Sequence, residues 1–172
     1  MSDLPKHFGK YRGMVVNNID PMQIGRVQVQ VPDVLGPALT SWAMPCVPAA
    51  GKQCGVYVVP QVGAGVWIEF EQGDPDYPIW VGGFWGSAAE VPALALAGVP
   101  GSPSIVLQTA TQVTLMLSDL PGPTGGILLK AGTAMISVST AGITITNGQG
   151  AMITMPSGPM IDFNAGALTV VS

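Results

Sequence analysis

The sequence predicts an all-β protein, and three features of its composition support this fold class. Glycine (23 residues) and proline (16 residues) are frequent enough to interrupt helices every few positions. Hydrophobic residues make up 48% of the 172 residues and charged residues only 9%, which excludes a disordered chain because disorder goes with low hydrophobicity and high charge. Short apolar segments also alternate with turn residues along the chain. We therefore expect many short strands joined by tight turns.

The composition changes near residue 90, which predicts two differently built domains. Residues 1–90 hold thirteen of the sixteen charged residues, all four Trp and all three Tyr. The remainder holds three charged residues and one aromatic residue, Phe163. The segment 86–104 is rich in Ala, Pro, Gly and Ser, as linkers are. We expect domains over 1–85 and 105–172 with a linker over 86–104, although the Leu-Ala-Leu-Ala part of the linker could form a short helical turn.

Six candidate strands in the first domain predict a small barrel of the OB or SH3-like type. They cover residues 11–17, 26–31, 42–47, 55–59, 66–71 and 79–84. Residues 17–21 and 73–76 predict turns, because Asn and Asp side chains bond to nearby backbone groups and Pro restricts φ. We expect Arg26 to make a charge-assisted bond to Asp20 or to another carboxylate of the first turn. The alternative is a solvated arginine at the barrel rim.

The second domain contains a β repeat of about eight residues. Seven segments alternate apolar and small polar residues, and they cover 112–118, 126–131, 135–140, 142–147, 151–156, 160–165 and 167–172. A ribbon of such strands has an apolar face that needs a cover. We expect three chains to close around this face, although an ordinary antiparallel sandwich is an alternative. The expected interior consists of Ile136, Val138, Ile143, Ile145, Ile153, Met155, Ile161, Phe163, Leu168 and Val170.

Side chains suited to catalysis or metal binding are sparse. His7 is the single histidine, and no motif for Ser-His-Asp or Cys-His catalysis surrounds it. Glu69 and Glu71 share one strand face and could act as a glycosidase pair, but a solvated strand face is the simpler interpretation. Cys46 and Cys54 fit no metal or redox spacing and are either free thiols or a disulfide. We expect no enzymatic activity, no metal and no cofactor.

The charge balance argues against nucleic acid as a partner. The net charge is −4, whereas binding to backbone phosphates requires clustered Lys and Arg. The four Trp residues could form a stacking platform of the kind seen in single-strand-binding OB folds. The acidic balance favours a place in the barrel core or between subunits instead.

Several stretches in a fixed order resemble a known family. They are residues 13–21 followed by 25–29, then Ser-Trp-Ala-Met-Pro at 41–45, then residues 63–71 and Gly-Asp-Pro-Asp-Tyr-Pro-Ile-Trp-Val-Gly-Gly at 73–83. They resemble the OB-fold domain of the baseplate assembly protein V family of contractile-tail spikes, which is similar to the valine-glycine repeat spike of type VI secretion. The C-terminal ladder, ending at 161–168, also resembles these spikes. The residues that carry the OB motif are Asn17, Asp20, Pro21, Arg26, Trp67, Asp74, Pro75 and Trp80.

The resemblance implies a structural central spike of a phage tail or phage-derived contractile particle. In such a spike, three OB domains sit on a trimeric hub protein, and three C-terminal ladders wind into an intertwined trimeric β-helix, the needle. The protein would be made in the cytoplasm and assembled into a virion or extracellular injection particle. Sheath contraction would then drive it through the target cell envelope.

The resemblance also implies a separate protein at the tip of the needle. The chain lacks the lysozyme-sized insert of large phage spikes and the His-x-His of self-tipped spikes. The last ten residues carry no charged side chain, so we expect an apolar platform that docks a small PAAR-like cap. The residues of this expected platform are Ala167, Leu168, Thr169, Val170, Val171 and Ser172.

A different function remains as the alternative interpretation of the same sequence. The protein could be a carbohydrate- or oligonucleotide-binding OB module with a β-solenoid tail. Such a module should melt at a higher temperature when its ligand is bound, whereas a spike should be an obligate trimer that resists heat or SDS.

Overall fold

The computed structural model describes residues 5–98, 101 and 104–171, and these form two compact units. The N-terminal unit comprises residues 1–90 and the C-terminal unit residues 91–172. The regular secondary structure of both units is mostly β-strand, which confirms the predicted all-β class. Within the described residues, no helix is long and apolar enough to cross a membrane.

The N-terminal unit contains a curved five-stranded sheet and a small separate hairpin. Its strands are β1 (Tyr11–Asn17), β2 (Gln28–Gln30), β3 (Met44–Pro45), β4 (Ala50–Gly51), β5 (Cys54–Gly55), β6 (Gly65–Phe70) and β7 (Pro78–Phe84). The sheet has the order β2-β1-β6-β7-β3, and β4 pairs with β5. A four-residue helix, α1 (Pro32–Leu35), and two 3-10 turns, Glu71–Gly73 and Ala88–Glu90, complete the unit.

One chain segment joins the two edges of this sheet. Residues Leu39 and Ala43 bridge back to Gln30 and Val27 at the β2 edge. The chain then continues into β3, which pairs in parallel with β7 at the opposite edge. The result is an OB-like half-barrel, as predicted, with few open backbone groups at its sheet edges.

The core of the N-terminal unit lies on one face of the curved sheet. In β6, Val66, Ile68 and Phe70 are buried while Trp67 and Glu69 alternate with them on the outer face, as the two-residue period of a strand requires. Of the four Trp residues, Trp80 is in the core, Trp42 and Trp67 are half-buried, and Trp85 is exposed. The complete core cluster is Val15, Val27, Val29, Val31, Ala43, Val66, Ile68, Phe70 and Trp80.

Most predicted strands of this unit are present, but one prediction is largely wrong. Strand β1 has the predicted bounds, and β2 and β3 are shorter than expected. The strand predicted over 55–59 ends at Gly55, and residues 56–60 have no regular structure. Val56, Tyr57 and Val58 are all exposed there. The backbone N–H of Val56 donates to the carbonyl oxygen of Ala49 at 3.0 Å, but within the described residues no strand pairs with residues 57–58, so their strand propensity is not realised.

The C-terminal unit is a single eight-stranded antiparallel meander. Its strands are β8 (Ser104–Gln108), β9 (Thr114–Ser118), β10 (Gly126–Ala131), β11 (Ala134–Ser139), β12 (Gly142–Thr146), β13 (Met152–Pro156), β14 (Met160–Phe163) and β15 (Leu168–Val171). Each strand pairs with the next, in the order β15 to β8 across the sheet. The seven strands predicted from the repeat are present. The described residues form one sheet, so the sandwich alternative is wrong.

Two short 3-10 turns and one unforeseen strand complete the C-terminal unit. The turns are Ala93–Ala95 and Gly122–Thr124. The first of them overlaps the Leu-Ala-Leu-Ala segment, for which a short helical turn was one of the two interpretations. The sequence does not predict strand β8, because this strand directly follows the Pro- and Gly-rich stretch and no clear change in composition marks where it begins.

The close packing of β1 over the core leaves no room for a side chain at Gly13. A Cβ atom there would clash with Val29 and would lie 3.1 Å from Cγ1 of Ile68. Both of these side chains are fully buried and have no space into which to move. We therefore expect Gly13→Ala to lower the free energy of unfolding by about 1–3 kcal/mol, the range seen for overpacked cores.

Thermal or denaturant unfolding of the full chain, followed by Trp fluorescence, measures this effect because all four Trp residues lie in the N-terminal unit. Gly83→Ala in β7 is the matched control, since the nearest atom to its added Cβ is the carbonyl oxygen of Gly65 at 3.5 Å. Equal unfolding midpoints for the two variants would contradict the packing argument.

Candidate functional site

The register of the C-terminal sheet aligns apolar side chains in rows on one of its faces. One row crosses β8 to β13 and contains Ile105, Leu117, Ile127, Val138, Ile143 and Met155. A second row crosses all eight strands and contains Leu107, Leu115, Leu129, Ile136, Ile145, Ile153, Phe163 and Leu168. Ile161 and Val170 pair on the same face in the last two strands. We call these sixteen residues the apolar face.

The apolar face is uncovered in the single chain. Ile105 and Leu107 are 63% and 65% exposed, and Ile136 and Ile145 are also exposed. A continuous apolar surface of this extent is rare on monomeric proteins and marks a site of association. All ten residues expected in the interior of a trimer lie on this face, Val170 by its register alone.

The opposite face of the sheet is polar or already covered. From β11 to β15 it carries a row of small polar residues, namely Ser137, Thr144, Thr154, Asp162 and Thr169. Near β9 this face carries the apolar side chain of Met116, which is only 9% exposed because other residues cover it. Leu94 and Ala97 line a cavity of about 320 Å³ there together with Met116 and Leu128. The chain thus covers the apolar part of this face near β9 and leaves the apolar face bare.

The repeat in the sequence does not predict the whole of the apolar face. Its rows begin in β8, with Ile105 and Leu107, and continue through β9 and β10. The signal is present in the sequence as the alternation Ser-Ile-Val-Leu-Gln at 104–108. It was obscured because Val106, between the two exposed residues, is also apolar.

The expected tip platform lies on the edge strand β15. Ala167 and Leu168 are exposed, and Leu168 pairs with Phe163. The backbone of residues 169–171 continues the strand, and Ser172 lies outside the described residues.

Asp20 anchors the loop between β1 and β2. Its carboxylate accepts hydrogen bonds from the backbone N–H groups of Met22 (3.0 Å), Ile24 (3.0 Å) and Arg26 (3.2 Å). It also accepts bonds from Nε and Nη2 of the Arg26 guanidinium, at 3.0 and 2.7 Å. The predicted ion pair between Arg26 and Asp20 is therefore present, and the alternative of a solvated arginine is wrong.

The environment of Asp20 strongly favours its charged form. The Arg26 guanidinium and three backbone N–H groups hold the pKa of the Asp20 carboxyl well below its usual range, although burial opposes them.

The same loop is tied to the core, because Nε1 of Trp80 donates to the carbonyl oxygen of Gly25 at 3.0 Å. Three of the predicted motif residues, Asp20, Pro21 and Arg26, thus belong to one anchored loop. A fourth, Asn17, ends β1, and its Oδ1 accepts a hydrogen bond from the backbone N–H of Ile19 at 3.0 Å.

The remaining motif residues lie elsewhere in the N-terminal unit. The side chain of Asp74 accepts a bond from the backbone N–H of Asp76 at 3.1 Å, which closes the turn that contains Pro75. Trp67 lies on the outer face of the sheet with the Arg12 guanidinium 5.6 Å from its ring.

The groups considered for catalysis take part in structural contacts. Glu69 forms an ion pair with Lys10. Glu71 does not share its strand face, because β6 ends at Phe70 and Glu71 begins the 3-10 turn Glu71–Gly73. The His7 ring packs against Phe70, with the ring centroids 6.2 Å apart. Cys46 and Cys54 are free thiols, not a disulfide.

The charge on Asp20 makes stability depend on pH in a defined direction. Because the folded pKa is depressed, the stabilisation is complete above the ordinary Asp pKa of about 3.9 and is lost as the pH falls below it. We expect Asp20→Asn and Arg26→Ala to lower the melting temperature at pH 7 by roughly 5 °C or more. We expect the wild type to approach Asp20→Asn in stability between pH 4 and pH 2.

Thermal melts followed by Trp fluorescence from pH 7 to pH 2 test this expectation. Asp76→Asn, in which the altered side chain is exposed, is the control and should follow the wild type. A constant difference in melting temperature between wild type and Asp20→Asn over this range would show that the charge on Asp20 does not cause the pH dependence of stability.

Two family models match the two units of the chain. Residues 11–85 match the type VI secretion system/phage-baseplate injector OB domain, and residues 104–169 match the phage baseplate V C-terminal trimerisation domain. No curated protein matches the chain. The C-terminal match supports a homotrimer, since that domain holds three chains together. The chain belongs to the baseplate spike protein V family, whose members are structural, non-enzymatic components of the baseplate of phages and type VI-like contractile systems.

Proposed function

We propose that three copies of this chain form the central spike of a contractile injection particle, and that their C-terminal units wind together into a needle. The observation that carries the proposal is the bare apolar face, which spans the segment that matches a trimerisation domain. In the proposed needle, three such faces turn towards a common axis. The polar rows on the opposite faces turn outwards to water.

Burial of the apolar face supports this arrangement energetically. Transfer of one Ile, Leu or Val side chain from water to an apolar interior contributes roughly 1.5–3 kcal/mol. A single chain leaves this contribution unrealised over most of the sheet. Three chains can realise it together without any change in strand pairing within each chain, or they can exchange strand edges and intertwine.

We further propose a separate role for each segment of the chain. Residues 1–85 act as the OB domain that contacts a trimeric hub protein, residues 86–104 act as the linker, and residues 105–172 form the needle. The end formed by residues 167–172 docks a PAAR-like tip protein, and the capped needle is driven through the target envelope. The location of Leu168 on the exposed edge strand supports a docking role, because an unpaired edge offers backbone hydrogen bonds to a partner.

A charge placed on the apolar face tests the needle. Ile145→Asp puts three carboxylates close together in a dry interior, which is strongly unfavourable. We expect loss of the trimer or loss of solubility, measured by light scattering coupled to size-exclusion chromatography.

Thr144→Asp is the matched control, because residue 144 lies on the opposite face, between Ser137 and Thr154. It should keep the trimer mass. A soluble Ile145→Asp variant with the trimer mass and the melting temperature of the wild type would show that the apolar face is not the interior of a needle.

Deletion of residues 167–172 tests the tip. We expect the truncated chain to remain a trimer, since it keeps seven of the eight strands, but to lose binding of the PAAR-like protein encoded beside it. Co-purification of the two proteins measures this loss, and the mass of the truncated spike shows whether it is assembled. Cap binding by an assembled, truncated spike would place the tip elsewhere.

A further inference from the structure

The N-terminal unit carries an exposed apolar patch, and the hub contact proposed above is not assigned to its residues. The patch consists of Ile24, Met44, Val56, Tyr57 and Val58, which line one cleft of about 560 Å³. All five side chains are exposed, and Tyr57 is 69% exposed. None of the described residues that line this cleft is charged. The patch therefore has the composition of a protein interface core and not of a solvated surface.

The segment 56–58 forms a ridge between two clefts. Val56 and Val58 also line a second, larger cleft of about 1090 Å³, to which Val62, Phe84 and Trp85 contribute. The ridge is rich in β-branched and aromatic side chains, yet it has no regular structure in the single chain. Its neighbour, the loop with Ile24, is held in place by Asp20 and by a hydrogen bond from Nδ2 of Asn18 to the carbonyl oxygen of Pro60 at 3.0 Å.

The charged side chains near the N-terminus gather in a different place. Closer to the patch, Lys52 lies in the turn between Gly51 and Gln53, and Glu90 lines the larger cleft. Lys6 pairs with Asp74 and Lys10 with Glu69, and the backbone N–H of His7 donates to the carbonyl oxygen of Gly73 at 2.8 Å. The N-terminal segment and the turn around Gly73 thus form a solvated, charged surface. A polyanion or a charged glycan finds no complementary group in the apolar patch.

We propose that the apolar patch packs against the N-terminal unit of a second copy of this chain within the homotrimer. The proposal rests on the trimer of the proposed function and names a second interface in it. Contacts in a closed three-fold ring join two different surfaces of each chain, and here a ridge lies beside two clefts that could receive it. The C-terminal trimerisation domain also tethers the three copies, which raises their effective concentration to roughly millimolar. At that concentration a weak apolar contact is formed most of the time.

Thiol reactivity of the intact trimer tests the second interface. Cys54 lines the patch cleft and is exposed in a single copy, so a covering copy should slow its reaction with a maleimide. We expect Tyr57→Asp to keep the trimer mass, because the C-terminal domain holds the chains, and to speed the reaction of Cys54 by about tenfold or more as the contact opens. The carboxylate introduced at residue 57 would by itself slow the reaction, because a nearby negative charge disfavours a thiolate. A faster reaction in this variant therefore shows that Cys54 has become uncovered.

Tyr77→Asp is the matched control, since Tyr77 is 62% exposed and lies in the charged turn. It should leave the Cys54 rate unchanged. A wild-type trimer in which Cys54 reacts as fast as in urea-unfolded chain, or equal rates in the two variants, would overturn the proposal and leave the patch free for another protein of the particle. A wild-type chain that is not a trimer would instead overturn the proposed function, so the mass measurement separates the two failures.

Discussion

The exposed apolar face of the C-terminal sheet is the constraint on which the rest of the structure depends. A β-sheet is stable in water only when its apolar face is covered. Here the segment that contains Leu94 and Ala97 lies against the opposite face, near Met116. Nothing in the described part of the C-terminal unit covers the rows that contain Ile136 and Ile145. We therefore infer that this unit gains its stability from the proposed assembly, and the scarcity of charge in residues 91–172 agrees with this inference.

The N-terminal unit meets the same requirement in a different way. It has its own core around Ile68 and Trp80, and its sheet edges are joined by the segment that carries Ala43. The Asp20 carboxylate then fixes the loop between β1 and β2 with five hydrogen bonds. One unit is thus stabilised by contacts within the chain, whereas in the proposed needle the other depends on contacts between chains. This difference explains why thirteen of the sixteen charged residues lie before residue 91.

The sequence predicts features that depend on local chemistry and regular periods. The alternation of apolar and polar residues placed β10 at its observed bounds and put Ile145 and Ile153 on one face, and the turn chemistry around Asp20 led to its pair with Arg26. Features that depend on distant neighbours could not be predicted. The segment 56–58 has strand propensity but no strand partner, and the burial of Met116 depends on a segment about twenty residues away in the chain.

Alternation along the repeat links the register of the C-terminal sheet to the side chains that each face presents. A slip of one residue in any strand would turn its apolar side chains to the polar face and bring residues such as Thr144 into the apolar rows. In the single chain such a slip costs little, because Ile145 and its neighbours are exposed on the one face in any case. In the proposed trimer it would remove apolar side chains from the common interior and place hydroxyl groups there without partners. In the proposed trimer, association of the three chains therefore fixes the register of every strand at once, and a fixed register is what the proposed needle would need under axial load.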